Sequence, residues 1–187
     1  MMEKNHNISD LQLHTGVEVM RCYQCGKCSA GCVLASEMNF PPSYLMRLLQ
    51  TGTRENLDKI LNSNSIWLCL NCENCLGRCP MEIDIPKMMD YLRTQSVREN
   101  KLHPDSRPIL AFHRSFLDSI KHTGRLYEVG LVAAFKFRTF RLAQDLAVAP
   151  VMYLKGKLHL FPEKFNDRKR MKRIFAQTIE NAKKDNQ

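Results

Sequence analysis

Two blocks decide the fold of this chain: Cys22-Tyr-Gln-Cys25-Gly-Lys-Cys28-Ser-Ala-Gly-Cys32 and Cys69-Leu-Asn-Cys72-Glu-Asn-Cys75-Leu-Gly-Arg-Cys79-Pro80. Each block has the spacing C-x2-C-x2-C-x3-C, and together they contain all eight cysteines of the 187-residue chain. This spacing is typical of cubane iron–sulfur clusters, in which each of four irons takes one soft thiolate. Eight thiolates make two complete sets of four, so the sequence predicts two [4Fe–4S] clusters.

The fourth cysteine of each block is predicted to ligate the cluster of the other block. Three cysteines at successive x2 intervals let a short loop wrap one face of a cubane, and the x3 step usually begins a helix that turns the fourth side chain away. In two-cluster proteins with this spacing the fourth cysteine binds the other cluster. We therefore predict a first thiol set, made of Cys22, Cys25, Cys28 and Cys79. The second thiol set is made of Cys69, Cys72, Cys75 and Cys32.

Disulfides and structural zinc are the alternative uses of these cysteines. Residues 1–10 are polar and show no apolar secretory segment, so we expect a cytoplasmic protein whose thiols stay reduced. Zinc usually takes two C-x2-C pairs with a longer gap, and four cysteines within eleven residues crowd a tetrahedral site. The spacing therefore favours iron–sulfur clusters, with a zinc-binding regulatory protein as the lesser alternative.

The charge is distributed unevenly along the chain, which has a formal net charge of +9. Residues 1–99 hold 10 Lys and Arg against 11 Asp and Glu, a net of −1. Residues 100–187 hold 18 against 8, a net of +10. Such asymmetry indicates that the second half binds a partner, although a solvated helix face explains the basic run 167–173 equally well. No nucleic-acid motif accompanies the basic residues, so we expect no nucleic-acid partner.

Residues 33–68, between the blocks, are predicted to be helical. Ser43 offers an N-cap and Gly52 a helix stop, with apolar residues at helical spacing between them. Asp84 and Pro86 begin a further helix after the second block. No run shows the alternation of a strand. The side chains expected to pack around the clusters are Leu45, Met46, Met88 and Met89.

The sequence therefore predicts an all-α fold. We expect a loose N-terminal arm over residues 1–14, an alpha-helical ferredoxin module over residues 15–100, and a basic helical extension for subunit docking over residues 101–187. The extension should hold helices over 108–124, 125–149 and 167–184, with an irregular apolar arm over 151–165. The charged residues Lys136, Arg138, Arg141 and Asp145 interrupt its most apolar stretch, so no membrane span is predicted.

The two cysteine blocks closely resemble those of the C subunits of heterodisulfide reductases. The spacer Pro41-Pro42-Ser43-Tyr44 and the stretch Thr123-Gly124-Arg125-Leu126-Tyr127-Glu128 are similar to that family too, and the length of the chain agrees with it. The cysteine blocks alone are shared with other helical ferredoxin modules, including those of succinate dehydrogenase and glycolate oxidase. The combination with a short, single-module chain is more specific.

This resemblance implies an electron-transfer subunit of a cytoplasmic oxidoreductase complex of methanogens. Electrons would enter from a flavin-containing (FAD), iron–sulfur, electron-bifurcating A subunit. They would leave to a catalytic B subunit, which reduces the mixed disulfide of coenzyme M and coenzyme B. A hydrogenase or a formate dehydrogenase would supply the electrons upstream. The chain itself would carry no catalytic site, because every cysteine is predicted to be a cluster ligand.

A relay subunit of a different oxidoreductase is the main functional alternative. Enzymes linked to glycolate, glycerol phosphate, sulfite or quinone also use such two-cluster modules. A free-standing ferredoxin fits less well, because such carriers are small and acidic. The chain shows no Gly-rich dinucleotide motif and no P-loop.

Overall fold

The computed structural model describes residues 6–139, 154–155 and 168–184 of the chain. Every regular element in these ranges is a helix, which confirms the predicted all-α fold. The chain divides into two compact units, residues 1–107 and residues 108–187. This division comes a few residues after the predicted boundary at residue 100, and the assignment of functions to the two parts stays a prediction.

Over its described residues, the first unit contains seven α-helices and holds both cysteine blocks. Two single turns of 3-10 helix, Val19–Arg21 and Pro104–Ser106, accompany them. The α-helices are α1 (His6–Thr15), α2 (Lys27–Ala30), α3 (Pro42–Thr51), α4 (Arg54–Leu61), α5 (Ser65–Leu68), α6 (Asn74–Gly77) and α7 (Ile85–Arg98).

Helices α3 and α7 begin for different reasons. In α7 the side chain of Asp84 accepts a hydrogen bond from the Lys87 N–H at 3.0 Å, and Pro86 lies in the first turn, as predicted. In α3 the prediction of Ser43 as N-cap is wrong, because the cap position is Pro41. The Ser43 N–H donates instead to Oγ of Ser29, 2.8 Å away in α2. The acceptor for this helix terminus thus comes from the first cysteine block.

The core of the first unit lies where α3, α4, α5 and α7 pack together. The predicted apolar residues of α3 and α7 are completely buried there, and α4 and α5 add further apolar side chains. The fully buried members are Leu45, Met46, Ile60, Leu61, Ile66, Met88, Met89 and Leu92. This packing holds the two cysteine blocks, which have little regular structure of their own.

The expected loose N-terminal arm is wrong for residues 6–15, which form helix α1. This helix packs against α7, and the ring of His14 stacks on that of Tyr91 with 5.7 Å between centroids. Leu11 is 1 % exposed, and the Thr15 hydroxyl donates to the Leu11 carbonyl. The apolar residues of this segment are too few to indicate a helix by period, and the neighbouring helix supplies the surface that stabilises it.

Leu92→Ala is expected to lower the free energy of unfolding of the first unit by about 2–5 kcal/mol. The Leu92 side chain is fully buried in α7, so its removal loses contacts and leaves a cavity. Chemical denaturation of the cluster-loaded chain, followed by far-UV circular dichroism, measures this loss. Leu13→Ala is the control, since Leu13 is 81 % exposed on α1 and should change stability by less than about 0.5 kcal/mol. Equal losses in both variants would contradict the assigned core.

The described part of the second unit contains α8 (Arg107–Thr123, which begins one residue before the division), α9 (Glu128–Thr139) and α10 (Arg168–Lys184). The helices predicted for 108–124 and 167–184 are confirmed over these bounds. Helices α8 and α9 contact each other through the edge-to-face rings of Phe112 and Phe135 and through a 2.6 Å ion pair between Arg138 and Asp118.

Two further expectations for the second unit fall largely outside the described residues. The helix predicted for 125–149 can be followed only as far as Thr139, and the predicted apolar arm 151–165 is described only at residues 154–155. Within the described ranges, no helix combines the length and the apolar character needed to cross a membrane.

Candidate metal centre

The two cysteine blocks share the same unusual backbone conformations at equivalent positions. Gln24 and Asn71, each two residues after the first cysteine, have φ values of 62° and 51°. Gly26 and Glu73, each directly after the second cysteine, have φ values of 76° and 58°. These left-handed residues bend each block into a tight loop, and Glu73 carries a strain that glycine avoids. The third cysteine then lies in a one-turn helix, α2 or α6.

The first loop surrounds a pocket with four thiols at its wall. The cysteines are those of the predicted first thiol set: Cys22, Cys25, Cys28 and Cys79. The pocket contains about 330 Å³ of space between atoms. Met46, Ile83 and Ile85 complete its apolar lining.

The second loop surrounds a corresponding pocket of about 440 Å³. Its cysteines are those of the predicted second thiol set: Cys32, Cys69, Cys72 and Cys75. Apolar neighbours again form much of the lining, among them Met38, Ile85 and Met89. The structure thus brings each predicted set of four together, and the assignment of these residues as cluster ligands stays a prediction that the two groupings support.

Packing between α2 and α6 explains how the fourth cysteine of each block reaches the pocket of the other block. The two one-turn helices contact each other, and the Asn74 side-chain amide donates to the Gly31 carbonyl at 2.9 Å. The Arg78 side chain lies over Gly31, where a Cβ would come within 2.5 Å of its Cδ. Cys32 follows Gly31 and Cys79 follows Arg78. Each helix therefore delivers the last cysteine of its block to the opposite pocket.

Ile85 lines both pockets and is 2 % exposed. It is the first residue of α7, so the cap at Asp84 fixes its position. The two thiol sets are close enough to affect each other. Burial raises the pKa of Cys75 to about 11, with smaller contributions from Cys69 of its own set and from Cys28 of the other.

The thiols are free and differ in exposure. None of the eight forms a disulfide, Cys28 is buried, and Cys25 and Cys72 are exposed. Burial is also the main cause that raises the pKa of Cys28 and of Cys69 above that of an ordinary thiol. Because a metal binds the thiolate, loading of these sites must displace protons from the cysteines.

Polar groups that the sequence analysis did not single out contact the first loop and its thiols. Gln24 donates from Nε2 to Oε1 of Gln50 at 2.7 Å and lies 3.6 Å from Sγ of Cys22. Gln50 in turn donates to the Cys22 carbonyl at 2.6 Å. The Ile83 N–H donates to Sγ of Cys79 at 3.4 Å. Aligning the two blocks would have found one signal, since amide residues occupy the same position in both.

The chemistry of the two pockets fits cubane clusters. Each pocket offers four soft sulfur donors and a largely apolar lining. Among the residues that the structure describes, no three His, Cys, Asp or Glu side chains are arranged to hold one metal ion. The grouping of the thiols in two complete sets of four is the arrangement that two cubane clusters require.

Comparison with known families gives a likeness for part of the first unit. Residues 18–83 match the family described as 4Fe-4S dicluster domain. This match covers both loops and, together with the eight cysteines, shows a protein that carries two [4Fe–4S] clusters.

Individual relatives give a more specific likeness. The chain is 27 % identical over 96 residues to the iron-sulfur C subunit of the CoB–CoM heterodisulfide reductase of Methanopyrus kandleri, covering 51 % of this chain and 48 % of that protein. It is 29 % identical over 94 residues to the C subunit of the ferredoxin:CoB-CoM heterodisulfide reductase of Methanosarcina mazei (50 % and 56 %). A third relative is the C2 subunit of the H(2)/formate:CoB-CoM heterodisulfide,ferredoxin reductase of Methanococcus maripaludis, 26 % identical over 81 residues (43 % and 42 %). The chain thus spans about half the length of the relatives it matches.

Proposed function

We propose that this chain, whose residues 18–83 form a 4Fe-4S dicluster domain, is the electron-transfer subunit of a cytoplasmic heterodisulfide reductase complex. It receives electrons from a flavin-containing, bifurcating A subunit and passes them to a catalytic B subunit, which reduces the CoM-S-S-CoB heterodisulfide. The similarity to the C subunits of such enzymes supports this proposal. The name of the Methanococcus maripaludis relative is consistent with hydrogenase or formate dehydrogenase as the upstream donor.

The observation that carries the relay function is the side-by-side arrangement of two complete thiol sets. A [4Fe–4S] cluster supplies reversible one-electron storage at a potential set by its surroundings. The residues of this chain place four thiols around each pocket, and the apolar side chain of Ile85 lines both pockets. This arrangement suits the passage of single electrons from one site to the next.

The arrangement also supports catalysis on another subunit. All eight cysteines of the chain line the two pockets, so each thiol already has a use as a cluster ligand. Tyr23 and Leu70, each directly after the first cysteine of a block, are 60 % and 66 % exposed. These apolar side chains offer partner proteins a place to approach the pockets.

Residues 101–187 are proposed to bind the catalytic subunit. Helices α8 and α9 expose large apolar side chains, chiefly Leu117 at 51 % and Phe137 at 75 % exposure. Burying these side chains against a partner would be favourable. Helix α10 adds a basic surface, with Met171 and Phe175 half-buried. The combination of apolar and basic surface fits a protein partner with an acidic, partly apolar face.

Deletion of residues 150–187 is expected to release the partner proteins while both clusters remain. Every residue that lines the cluster pockets lies within residues 22–89, so the deletion removes none of them. Affinity purification of tagged chain from anaerobic cells, with iron analysis and mass spectrometry of bound proteins, measures both effects. A chain ending at Lys184 is the control and should retain its partners. An intact complex after the longer deletion would overturn the proposed docking surface.

A relay subunit of another oxidoreductase is the second candidate. The likeness to heterodisulfide reductase subunits covers only about half of the chain. This favours keeping the second candidate, because the dicluster part is the part that other oxidoreductases with such modules share. The same purification distinguishes the two. Recovery of a glycolate-, glycerol-phosphate- or quinone-linked catalytic subunit, in place of heterodisulfide reductase subunits, would favour the second.

A further inference from the structure

Two different sets of side chains hold the ligand loops, although the loops themselves have equivalent backbones. In the first loop, Gln24 is held by Gln50 of α3, and both groups are neutral amides. In the second loop, the equivalent Asn71 donates to both carboxylate oxygens of Asp90 in α7, at 3.0 and 2.9 Å. Asn71 also accepts from Arg93 at 3.3 Å. The second thiol set therefore has a cation in its surroundings where the first has an amide.

Arg93 is fixed against the backbone that leads into the second loop. Its Nε donates to the Ile66 carbonyl at 2.5 Å, and one terminal nitrogen donates to the carbonyl of Cys69 itself. The other terminal nitrogen pairs with Asp90 at 2.8 Å. The side chain is only 18 % exposed. A lysine could not make all of these hydrogen bonds, because it lacks the planar guanidinium with its several N–H donors.

The charge of Arg93 lies beside the residue that begins the second block, because the guanidinium donates to the Cys69 carbonyl. Asp90 and Glu73 place negative charges near the second loop. Asp90 is 57 % exposed and Glu73 is also exposed, so water screens these two carboxylates more than it screens Arg93. The charged group that lines the first pocket, Lys27, is also exposed. Arg93 is thus the least hydrated of these charges.

A partly buried cation beside a ligand favours the more negative, reduced state of a cluster. Reduction adds one negative charge, and a fixed positive charge nearby stabilises that state in proportion to its closeness and burial. A neutral amide has a weaker effect of the same sign. We propose that Arg93 raises the reduction potential of the cluster held by the second thiol set, whereas the neutral Gln24–Gln50 pair serves the other cluster. This inference rests on the proposed ligand assignment.

Redox titration of the full-length, cluster-loaded chain tests the proposal. Two midpoint potentials are followed by EPR for the wild type, Arg93→Gln and Arg93→Lys. In Arg93→Gln the equilibrium constant for reduction of one cluster should fall about tenfold, which lowers its midpoint potential by about 59 mV for one electron. The midpoint potential of the other cluster should not change. Arg93→Lys keeps the charge and should recover most of the loss. Iron content should be unchanged in both variants.

Matched variants identify which cluster responds. Gln50→Leu perturbs only the first loop, so it should move the midpoint that Arg93→Gln leaves alone. Arg54→Gln removes an arginine that pairs with Asp58 of α4 and with Glu99, and it should move neither midpoint. The inference is overturned if Arg93→Gln retains its iron and leaves both midpoints unchanged, or if it moves the same midpoint as Gln50→Leu.

A further variant keeps the test decisive if Arg93→Gln fails to hold iron. Asp90→Asn removes the opposing charge and should raise the midpoint of the second cluster; an unchanged or lower value would overturn the inference. Failure of the proposed function has a different signature. A wild-type chain without two [4Fe–4S] signals would refute the cluster assignment itself, and a foreign catalytic partner would refute only the heterodisulfide reductase proposal.

Discussion

Cys32→Ala is expected to remove the cluster of the second thiol set and to leave that of the first, so that iron falls from about eight to about four atoms per chain. The structure places Cys32 on the pocket of the second block, although it belongs to the first block in sequence. Alanine is the appropriate change, because a serine oxygen can still coordinate iron. Anaerobic iron and sulfide analysis measures the loss, and EPR of the dithionite-reduced chain identifies the remaining cluster.

Double variants separate the exchanged assignment from a block-by-block assignment. If Cys32 and Cys69 serve one cluster, changing both to alanine costs no more iron than changing either alone. Changing Cys32 together with Cys22 should then abolish both clusters. A block-by-block assignment predicts the reverse pattern for the two pairs. Cys79→Ala is the matched control from the other block, and with Cys22→Ala it should again leave one cluster.

Ile85→Glu is expected to disrupt both cluster sites and to destabilise the first unit by at least about 3 kcal/mol. Ile85 lines both pockets and is almost completely buried. A carboxylate there would be buried without a partner, beside two sets of anionic thiolates. Iron content should fall by more than half, and thermal unfolding should begin at a lower temperature.

Ile85→Val is the control for this position. It removes one methylene group, keeps the pocket apolar and should cost about 0.5–1.5 kcal/mol with full iron retention. Loss of only one cluster in Ile85→Glu would mean that Ile85 does not lie between the two sites. Full retention of both clusters would contradict its placement in either pocket wall.

Much of the fold follows from local chemistry that can be read along the chain. The cap at Asp84, the proline at Pro86 and the glycine stop at Gly52 act within their own turns of helix, so their helix boundaries were predicted correctly. The cap of α3 was not, because its acceptor is Ser29, which is distant in sequence. Helix α1 was missed for a related reason, since α7 supplies the surface on which it forms.

The candidate site also combines features that the local sequence predicts with features that it does not. The identity of the eight sulfur donors can be predicted because their spacing in each block is a local requirement of a cubane. Ile85 and Arg93 could not be predicted as parts of the site. Each comes from α7, and nothing in its local pattern distinguishes it from an ordinary apolar or charged helix residue. Only the approach of α7 to the loops gives these two side chains their place.

By itself, the sequence determined that this protein has eight thiolates in two equivalent blocks, set among helices, because donor type and short spacing are written in consecutive residues. The block spacing also predicted which thiols share a pocket, and tertiary structure decided how they come together. The contact of α2 with α6 delivers Cys32 and Cys79 to the opposite pockets. It also decided that two nearly identical loops differ electrostatically, because α3 brings an amide to one and α7 brings a cation to the other. Those neighbours are set by packing between distant segments, and no local pattern specifies them.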